Sequence, residues 1–337
     1  MKDRRKQQLT DWLEGTRVAP NGALQVVSGD ASFRRYFRYP HQQHWLIAVD
    51  APPPQESLQP FMAIAQRYRE EGIHAPEVHA YNEELGFMVL EDFGDQLLFS
   101  QLIDEQAALD IYQHALAQLP AVMRVTSTGV GSLPLYDRAL LERELGLFSE
   151  WLMNQHLAME LSDNQRHAWH QGCELLIETA LQQPQVGVHR DYHSRNIMLI
   201  EDTSELGIID FQDAVIGPIT YDAVSLLRDC YVKWPNSLVS SGLAFLHQRL
   251  QTEQLLAASV SLPDFEYWFD LMGIQRHLKA AGIFARLLHR DGKPGYMADV
   301  PRTLSYIVDI SGKYPALTDF RDLILLVQQR LPQVASQ

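Results

Sequence analysis

The sequence predicts an α+β protein of two lobes, an antiparallel-sheet N-terminal lobe over residues 1–92 and a mainly helical C-terminal lobe over 93–337. Three observations predict it. Short apolar runs separated by turn residues fill the first ninety positions, whereas apolar residues spaced three and four apart dominate from about residue 104 onward. One later stretch, Val188 to Asp213, reads as loop, short strand, turn, strand, loop inside the otherwise helical part. The chain has 337 residues, too many for a single small core, so two bodies are the prior.

The elements follow in order. Residues 5–14 form an amphipathic helix with Leu9, Trp12 and Leu13 on one face. Gln25 to Tyr39 is a hairpin whose tip, Ser28-Gly29-Asp30-Ala31-Ser32, is small and polar enough for its backbone N–H groups to cover phosphates. With a single glycine that tip is equally an ordinary hairpin turn. His44 to Val49 is a third strand, ending at Asp50 before Ala51-Pro52-Pro53-Pro54. Residues 56–71 have helical spacing through Leu58, Phe61, Ile64, Ala65 and Tyr68, and Gly72 to Pro76 stop that helix. Val78–Tyr81 and Gly86–Leu90 pair as a hairpin, followed by the acidic segment Glu91-Asp92-Phe93-Gly94. Helices are then expected near 104–123, 137–160, 163–182, 220–232, 237–257, 264–290 and 318–331.

The stretch Val188 to Asp213 carries the chemistry. Apolar Ile197–Ile200 and Leu206–Ile209, joined by a polar turn, make a hairpin that sets Asn196 at the start of one strand and Asp210 at the end of its partner. Asp191 lies five residues upstream. One carboxylate to take the proton of an attacking hydroxyl, with an amide and a second carboxylate to hold Mg²⁺ against nucleotide phosphates, is what phosphoryl transfer needs. His189-Arg190-Asp191, four residues, Asn196, then Asp210-Phe211 matches the protein-kinase catalytic-loop pattern, H-R-D, four residues, Asn, then D-F. A lone H-x-D would say little; four polar residues in order and in this strand context say much more.

Composition bounds the rest. Apolar residues at 46% and charged residues at 21% describe a globular protein, and a net charge of −14 without a long Lys/Arg run argues against a nucleic-acid partner. No apolar segment suggests a secretory signal or membrane span, so a cytoplasmic protein with no membrane partner and no obligate protein partner is expected. Cys173 and Cys230 lack metal spacing and read as free thiols.

With these residues in view, the chain resembles the aminoglycoside/choline phosphotransferase branch of the protein-kinase-like fold. S-G-D-A-S-F-R-R-Y-F-R (28–38), V-D-A-P-P (49–53), H-R-D-Y-H-S-R-N (189–196), D-F-Q-D-A-V-I-G-P-I-T-Y-D (210–222), Q-R-H-L-K-A-A-G-I-F-A-R-L (275–287) and D-V-P-R (299–302) are similar to the bacterial N-acetylmuramate/N-acetylglucosamine kinases of cell-wall sugar recycling. The resemblance implies an ATP- and Mg²⁺-dependent kinase for the anomeric hydroxyl of an amino sugar. An aminoglycoside, choline or homoserine kinase, or a catalytically silent nucleotide-binding regulator, are the alternatives.

Roles follow residue by residue. Asp191 is expected to accept or orient the hydroxyl proton, with positioning contributing more than basicity. Asn196 and Asp210 are expected to hold Mg²⁺. Ser28, Gly29, Asp30 and Ser32 would cover the phosphates, and Glu91, Asp92 and Phe93 would meet adenine through main-chain groups. Kinase-like enzymes place a Lys on the third strand, paired with a helix Glu, but His44–Asp50 has no Lys, and Glu56, Glu70 and Glu71 sit only near the ends of the next helix. The replacement cation is sought among Arg34, Arg35 and Arg38, which are otherwise surface charges. His193, Arg195 and Asp213 are placed to touch the acceptor, Asp213 alternatively serving as a metal ligand or loop cap. Arg276 and Lys279, the latter at i,i+4 from Gln275, with Arg286 and Arg302, offer cations to an anionic acceptor or simply face solvent. His189 reads as structural, and Asp222 as a helix-start residue bracing the catalytic loop through backbone N–H groups.

Overall fold

A computed structural model describes residues 3–27, 33–200, 203 and 205–334, the side chains of 332–334 excepted. Its strands, in chain order, are β1 Gln25–Val26, β2 Arg35–His41, β3 His44–Asp50, β4 Val78–Asn82, β5 Phe87–Glu91, β6 Ser127–Thr128, β7 Gly131–Ser132, β8 Gln185–Val188, β9 Ile197–Leu199, β10 Leu206–Ile208 and β11 Val215–Pro218. Its helices are α1 Arg4–Glu14, α2 Gln59–Glu70, α3 Glu105–Arg124, α4 Arg138–Leu147, α5 Asp163–Gln182, α6 Tyr221–Leu227, α7 Asn236–Thr252, α8 Leu262–Asp291, α9 Val300–Ser311 and α10 Thr318–Val334. α4 runs on into a wider π-helical segment, Phe148–His156.

The chain divides into two units, and the division does not follow the expected boundary at residue 92. The first unit runs through Gln101 and takes back Ser127–Ser132 and Ser194–Ala214; the second holds Leu102–Thr126, Leu133–His193 and the chain from Val215. Hydrogen bonds explain the return of the β9–β10 hairpin. Leu199 N donates to Gln96 O, Phe99 N to Ser194 O and Ile208 N to His74 O. A hairpin of two three-residue strands is marginal alone and is held by such neighbours.

In the first unit the strands pair antiparallel in the order β1-β2-β3-β5-β4. Alternation along the strands sorts side chains onto two faces. Phe37, Tyr39, Leu46, Ala48, Phe87 and Val89 share one face and form a core cluster with Leu9, Leu13 and Leu24, against which Trp12 of α1 packs. α1 begins at Asp3, whose carboxylate accepts from Lys6 N at 3.0 Å. The opposite face carries Tyr36, Arg38, Val49, Met88 and Leu90. α2 lays Phe61 and Tyr68 against Phe211, with ring centroids 4.7 and 5.3 Å apart.

The second unit is built on α8. This 30-residue helix opens with a Ser261–Asp264 capping box and closes at Gly292 in the left-handed region, φ 64°. Its central residues, Asp270 to Lys279, are all buried. At Gly282 the helix meets backbone: a Cβ there would collide with the Leu147 carbonyl group and Phe148 N, so only glycine fits. β8 pairs antiparallel with β11, Val188 opposite Val215, a ladder that delivers the chain to His189.

The helix absent from the sequence reading is α9. Pro301 sits in its first turn, where proline lacks only an N–H that the helix does not need.

Candidate active site

In the second unit, β8 ends at Val188 and the chain turns sharply through His189-Arg190-Asp191. Arg190 sits at φ 76°, a left-handed conformation costly for a side chain of this size. Two anchors hold it. The Asp222 carboxylate, at the start of α6, accepts from His189 N at 2.7 Å and Arg190 N at 3.0 Å. Burial pushes the Asp222 pKa up, to about 7, against the pull of those two N–H bonds. The second anchor is ionic: Arg190 Nη2 donates to Glu144 Oε1 at 2.5 Å.

Glu144, on α4 and 3% exposed, is the centre of a buried cluster. Lys279 Nζ lies 3.0 Å from Glu144 Oε1 and donates to Tyr221 OH at 2.9 Å. Tyr136 OH donates to Glu144 Oε2, and Gln275 Nε2 reaches Tyr136 OH at 2.8 Å and Glu144 Oε2 at 3.1 Å. Burial alone would raise the Glu144 pKa; the Lys279 and Arg190 charges and the Tyr136 hydroxyl outweigh it and hold the carboxyl ionised. The same balance governs half-buried Asp191. Desolvation would raise its pKa, but the Lys279, His193, Arg276 and Arg190 charges bring it below the ordinary carboxylate value. Asp191 N is 3.2 Å from His189 Nδ1, and His193 N donates to Asp191 O at 2.9 Å.

The cations of α8 therefore differ from the surface row expected. Lys279, expected at the acceptor, is turned inward onto Glu144 and Tyr221, and Gln275 goes with it. Arg276, 6% exposed, places Nη1 3.7 Å from Cys230 Sγ, and its buried Nε has no hydrogen-bond partner among the described residues. Arg302 bonds Asp299 and the Cys230 carbonyl, and Arg286 is half-buried. His193 stands edge-on to Tyr231, ring centroids 5.6 Å apart.

In the first unit the β9–β10 hairpin brings Asn196 and Asp210 together as the sequence pattern requires. Asn196 Nδ2 donates to Asp210 Oδ2 at 3.1 Å, Ile209 N donates to Asn196 O at 3.1 Å, and Gln212 Nε2 donates to Asp210 Oδ1 at 2.7 Å. Asp210 is itself left-handed, φ 66°. An amide and one carboxylate are few ligands for a protein-only metal cage. They suit Mg²⁺, which keeps waters and takes phosphate oxygens beside one or two protein oxygens. Arg195 lays its guanidinium over Phe99, 5.0 Å from the ring centroid, and Asp213 is exposed.

The expected adenine segment is firmly tied. Glu91 accepts from His74 Nε2 at 3.2 Å and Glu77 N at 3.1 Å; Asp92 accepts from Arg38 Nη2 at 2.9 Å and pairs ionically with it; Phe93 packs on Gly207. These side chains fix the main chain there. Ser28, Gly29, Asp30 and Ser32 lie outside the described residues. Arg35 is a correction: it shares the α1 face with Phe37 and bonds Asp50 and Asp3, facing away from Arg38.

Glu144 escaped sequence reasoning because, within R-A-L-L-E-R-E-L-G-L, it resembles any surface helix glutamate. The one available signal was that Arg190, next to the reactive Asp, needs a carboxylate partner.

Taken together, the strand-to-loop delivery of His189-Arg190-Asp191 and the Asn196–Asp210 pair are those of a phosphotransferase. Residues 23–258 match the phosphotransferase enzyme family (APH), and the chain belongs to it. It is 41% identical to the N-acetylmuramate/N-acetylglucosamine kinase of Pseudomonas putida, over 97% of both chains. It is likewise 41% identical to the protein of that name from Pseudomonas aeruginosa, over 97% of this chain and 98% of that one. Among solved structures it is similar to a choline/ethanolamine kinase family protein from Mesorhizobium loti, with TM-score 0.64, 12% identity, and 96% and 99% of the chains covered. That likeness confirms the protein-kinase-like fold.

Proposed function

We propose that the protein is an ATP- and Mg²⁺-dependent kinase of N-acetylmuramate and N-acetylglucosamine, phosphorylating the anomeric hydroxyl for cell-wall sugar recycling in the cytoplasm. The observation that carries the reaction type is Asp191. It is held as a carboxylate by surrounding cations on a loop braced by Asp222 and Glu144. The near full-length similarity to the two Pseudomonas kinases supports the acceptor.

In this reading the C1 hydroxyl oxygen bonds to the γ-phosphorus as the bond from γ-phosphorus to the β,γ-bridging oxygen breaks, giving the sugar 1-phosphate and ADP. Asp191 orients the hydroxyl and receives its proton. Because Asp191 is kept ionised, it is ready as acceptor but weakly basic, so alignment contributes more than proton abstraction. Asn196 and Asp210 hold Mg²⁺, which when bound neutralises charge on the phosphates. The 91–93 main chain meets adenine, and Arg34 with residues 28–32 meets the phosphates. His193, Arg195 and Asp213 contribute to the acceptor side. Arg276 meets the acceptor as a buried cation with an unmade hydrogen bond.

A panel of acceptors with Mg-ATP, read by phosphorus NMR, tests this. The expected product is an anomeric phosphate of both amino sugars. Transfer to an aminoglycoside, choline or homoserine with neither amino sugar phosphorylated overturns the acceptor. Absence of any ATP turnover overturns the enzyme reading.

A further inference from the structure

The third strand, His44–Asp50, has no lysine, so the phosphate-facing cation must come from elsewhere. Strand alternation separates two of the three arginines of the opening hairpin. Arg35 faces α1 and is committed to Asp3 and Asp50. Arg38 is on the other face, but it clamps the 92–95 segment. It bonds Asp92, the Gly94 carbonyl at 2.9 Å and Asp95 at 2.7 and 2.8 Å. Arg34 immediately precedes β2, and the ion pairs of Asp50 go to Arg5 and Arg35 and those of Asp92 and Asp95 to Arg38. Its Nη2 lies 2.9 Å from Glu56 Oε2, with only 12% and 14% of the two side chains exposed.

Glu56 makes a second contact. Its Oε1 accepts from Phe33 N at 3.4 Å, so one carboxylate holds the Phe33 backbone and the adjoining guanidinium. It stands three residues before α2, the helix whose Phe61 packs on Phe211, the neighbour of Asp210. An ion pair this sheltered is costly unless the geometry serves something. Here the carboxylate anchors the guanidinium at the start of β2, and α2, through Phe61 on Phe211, ties that anchor to the neighbour of the proposed metal residue.

We infer that Glu56 is a positioning residue that holds Arg34 toward the nucleotide phosphates, the pair taking over the work of a third-strand lysine and its helix glutamate. The inference rests on the kinase reading but is tested by binding alone. ATP and adenosine affinities are measured by calorimetry with Mg²⁺ for the wild type, Glu56→Gln, Glu56→Asp, Arg34→Gln and the double variant Arg34→Gln/Glu56→Gln. Expected is an ATP affinity about tenfold weaker in Glu56→Gln and in Arg34→Gln, adenosine affinity within about twofold of wild type, partial recovery in Glu56→Asp, and a double variant no worse than Arg34→Gln. In turnover the loss falls on KM for ATP and leaves KM for the sugar unchanged. Equal weakening of ATP and adenosine, or strictly additive losses, overturns the inference and reduces the pair to a structural tie. If the wild type binds ATP but phosphorylates no sugar, it is the acceptor assignment that fails, and the binding series still decides the role of Glu56.

Discussion

Asp50 and Glu144 are buried carboxylates that each sit between two cations, as Asp270 does between Arg228 and Lys313, and the first two differ in where the cations end. Asp50, in the first unit, is 1% exposed and takes Arg5 from α1 and Arg35 from β2. Those guanidinium-bearing side chains are 31% and 37% exposed, so water and salt screen the network. Glu144, in the second unit, takes Arg190 and Lys279, whose side chains are 18% and 11% exposed. The first arrangement fastens a helix to a sheet. The second fixes the charge and backbone geometry of the loop bearing Asp191. Similar pairings thus do different work, decided by how far the partners can rehydrate when the carboxylate is lost.

The sharpest break in this comparison is Asp191 itself, the negative charge that the second cluster surrounds. Asp191→Asn keeps the shape and removes the proton acceptor. We expect kcat to fall by about 10²–10⁴-fold with nucleotide affinity essentially unchanged. ADP-release kinetics beside a nucleotide titration check it, and a parallel loss of nucleotide affinity would remove Asp191 from its role. Next comes Glu144→Gln, which leaves two buried cations without their counter-charge. About 3–5 kcal/mol of stability should be lost in denaturant unfolding, together with kcat, as Arg190 is released from its left-handed conformation. A variant as stable as wild type would show that Lys279 and Arg190 find other partners.

Much of the first unit was legible because its signals are local. Alternating apolar strands, the Gly72–Pro76 stop and the spacing of Asn196 to Asp210 each specify structure within a few residues. The second unit hid its site. Glu144, Tyr136, Tyr221 and Lys279 are far apart in sequence, and nothing in a heptad of α4 or α8 says which charged residue turns inward. Lys279 was expected at an anionic acceptor, or else in solvent, because i,i+4 spacing with Gln275 defines a face without saying what covers it. Arg35 was misplaced for a simpler reason. Adjacent residues of a strand point to opposite sides, and only the position of α1 says which side is closed.

A subtler test of the buried unit is acid. His277, in the middle of α8, stacks on Tyr306 at 4.5 Å between centroids, and its Nε2–H donates to the Arg228 carbonyl at 2.9 Å. Desolvation first, and then the Arg276 and Arg228 charges, push its pKa down to about 3 from an ordinary 6.5. The unfolded chain therefore binds a proton that the folded chain refuses between those values. The His277 contribution, present above about pH 6.5, should fall as pH drops, by about 2 kcal/mol by pH 5 and further toward pH 3. Asp222, raised to about 7, opposes it by taking up a proton in the folded chain over the same range. Lowered Asp191 and Glu144 pKa values add their own losses only below the normal carboxylate range. His277→Gln should remove this loss, so that the variant's stability relative to wild type rises as pH goes from 6.5 to 5. An unchanged slope would assign the acid sensitivity elsewhere.

The smallest expected effect belongs to the exposed network, and it makes the comparison quantitative. Asp50→Asn leaves Arg5 and Arg35 able to rehydrate, and Asp3 still accepts from Arg35. The loss should be about 1 kcal/mol, partly masked by raising salt, because surface pairs contribute little and are screened. kcat and KM for ATP should stay at wild-type values, since Arg35 faces α1. Unfolding at 0.05 and 0.5 M salt, with kinetics at both, checks this. A salt-insensitive loss as large as that of Glu144→Gln would mean the arginine exposures mislead and both carboxylates are buried anchors. A selective rise in KM for ATP would return Arg35 to the phosphates and undo the sorting of arginines by sheet face.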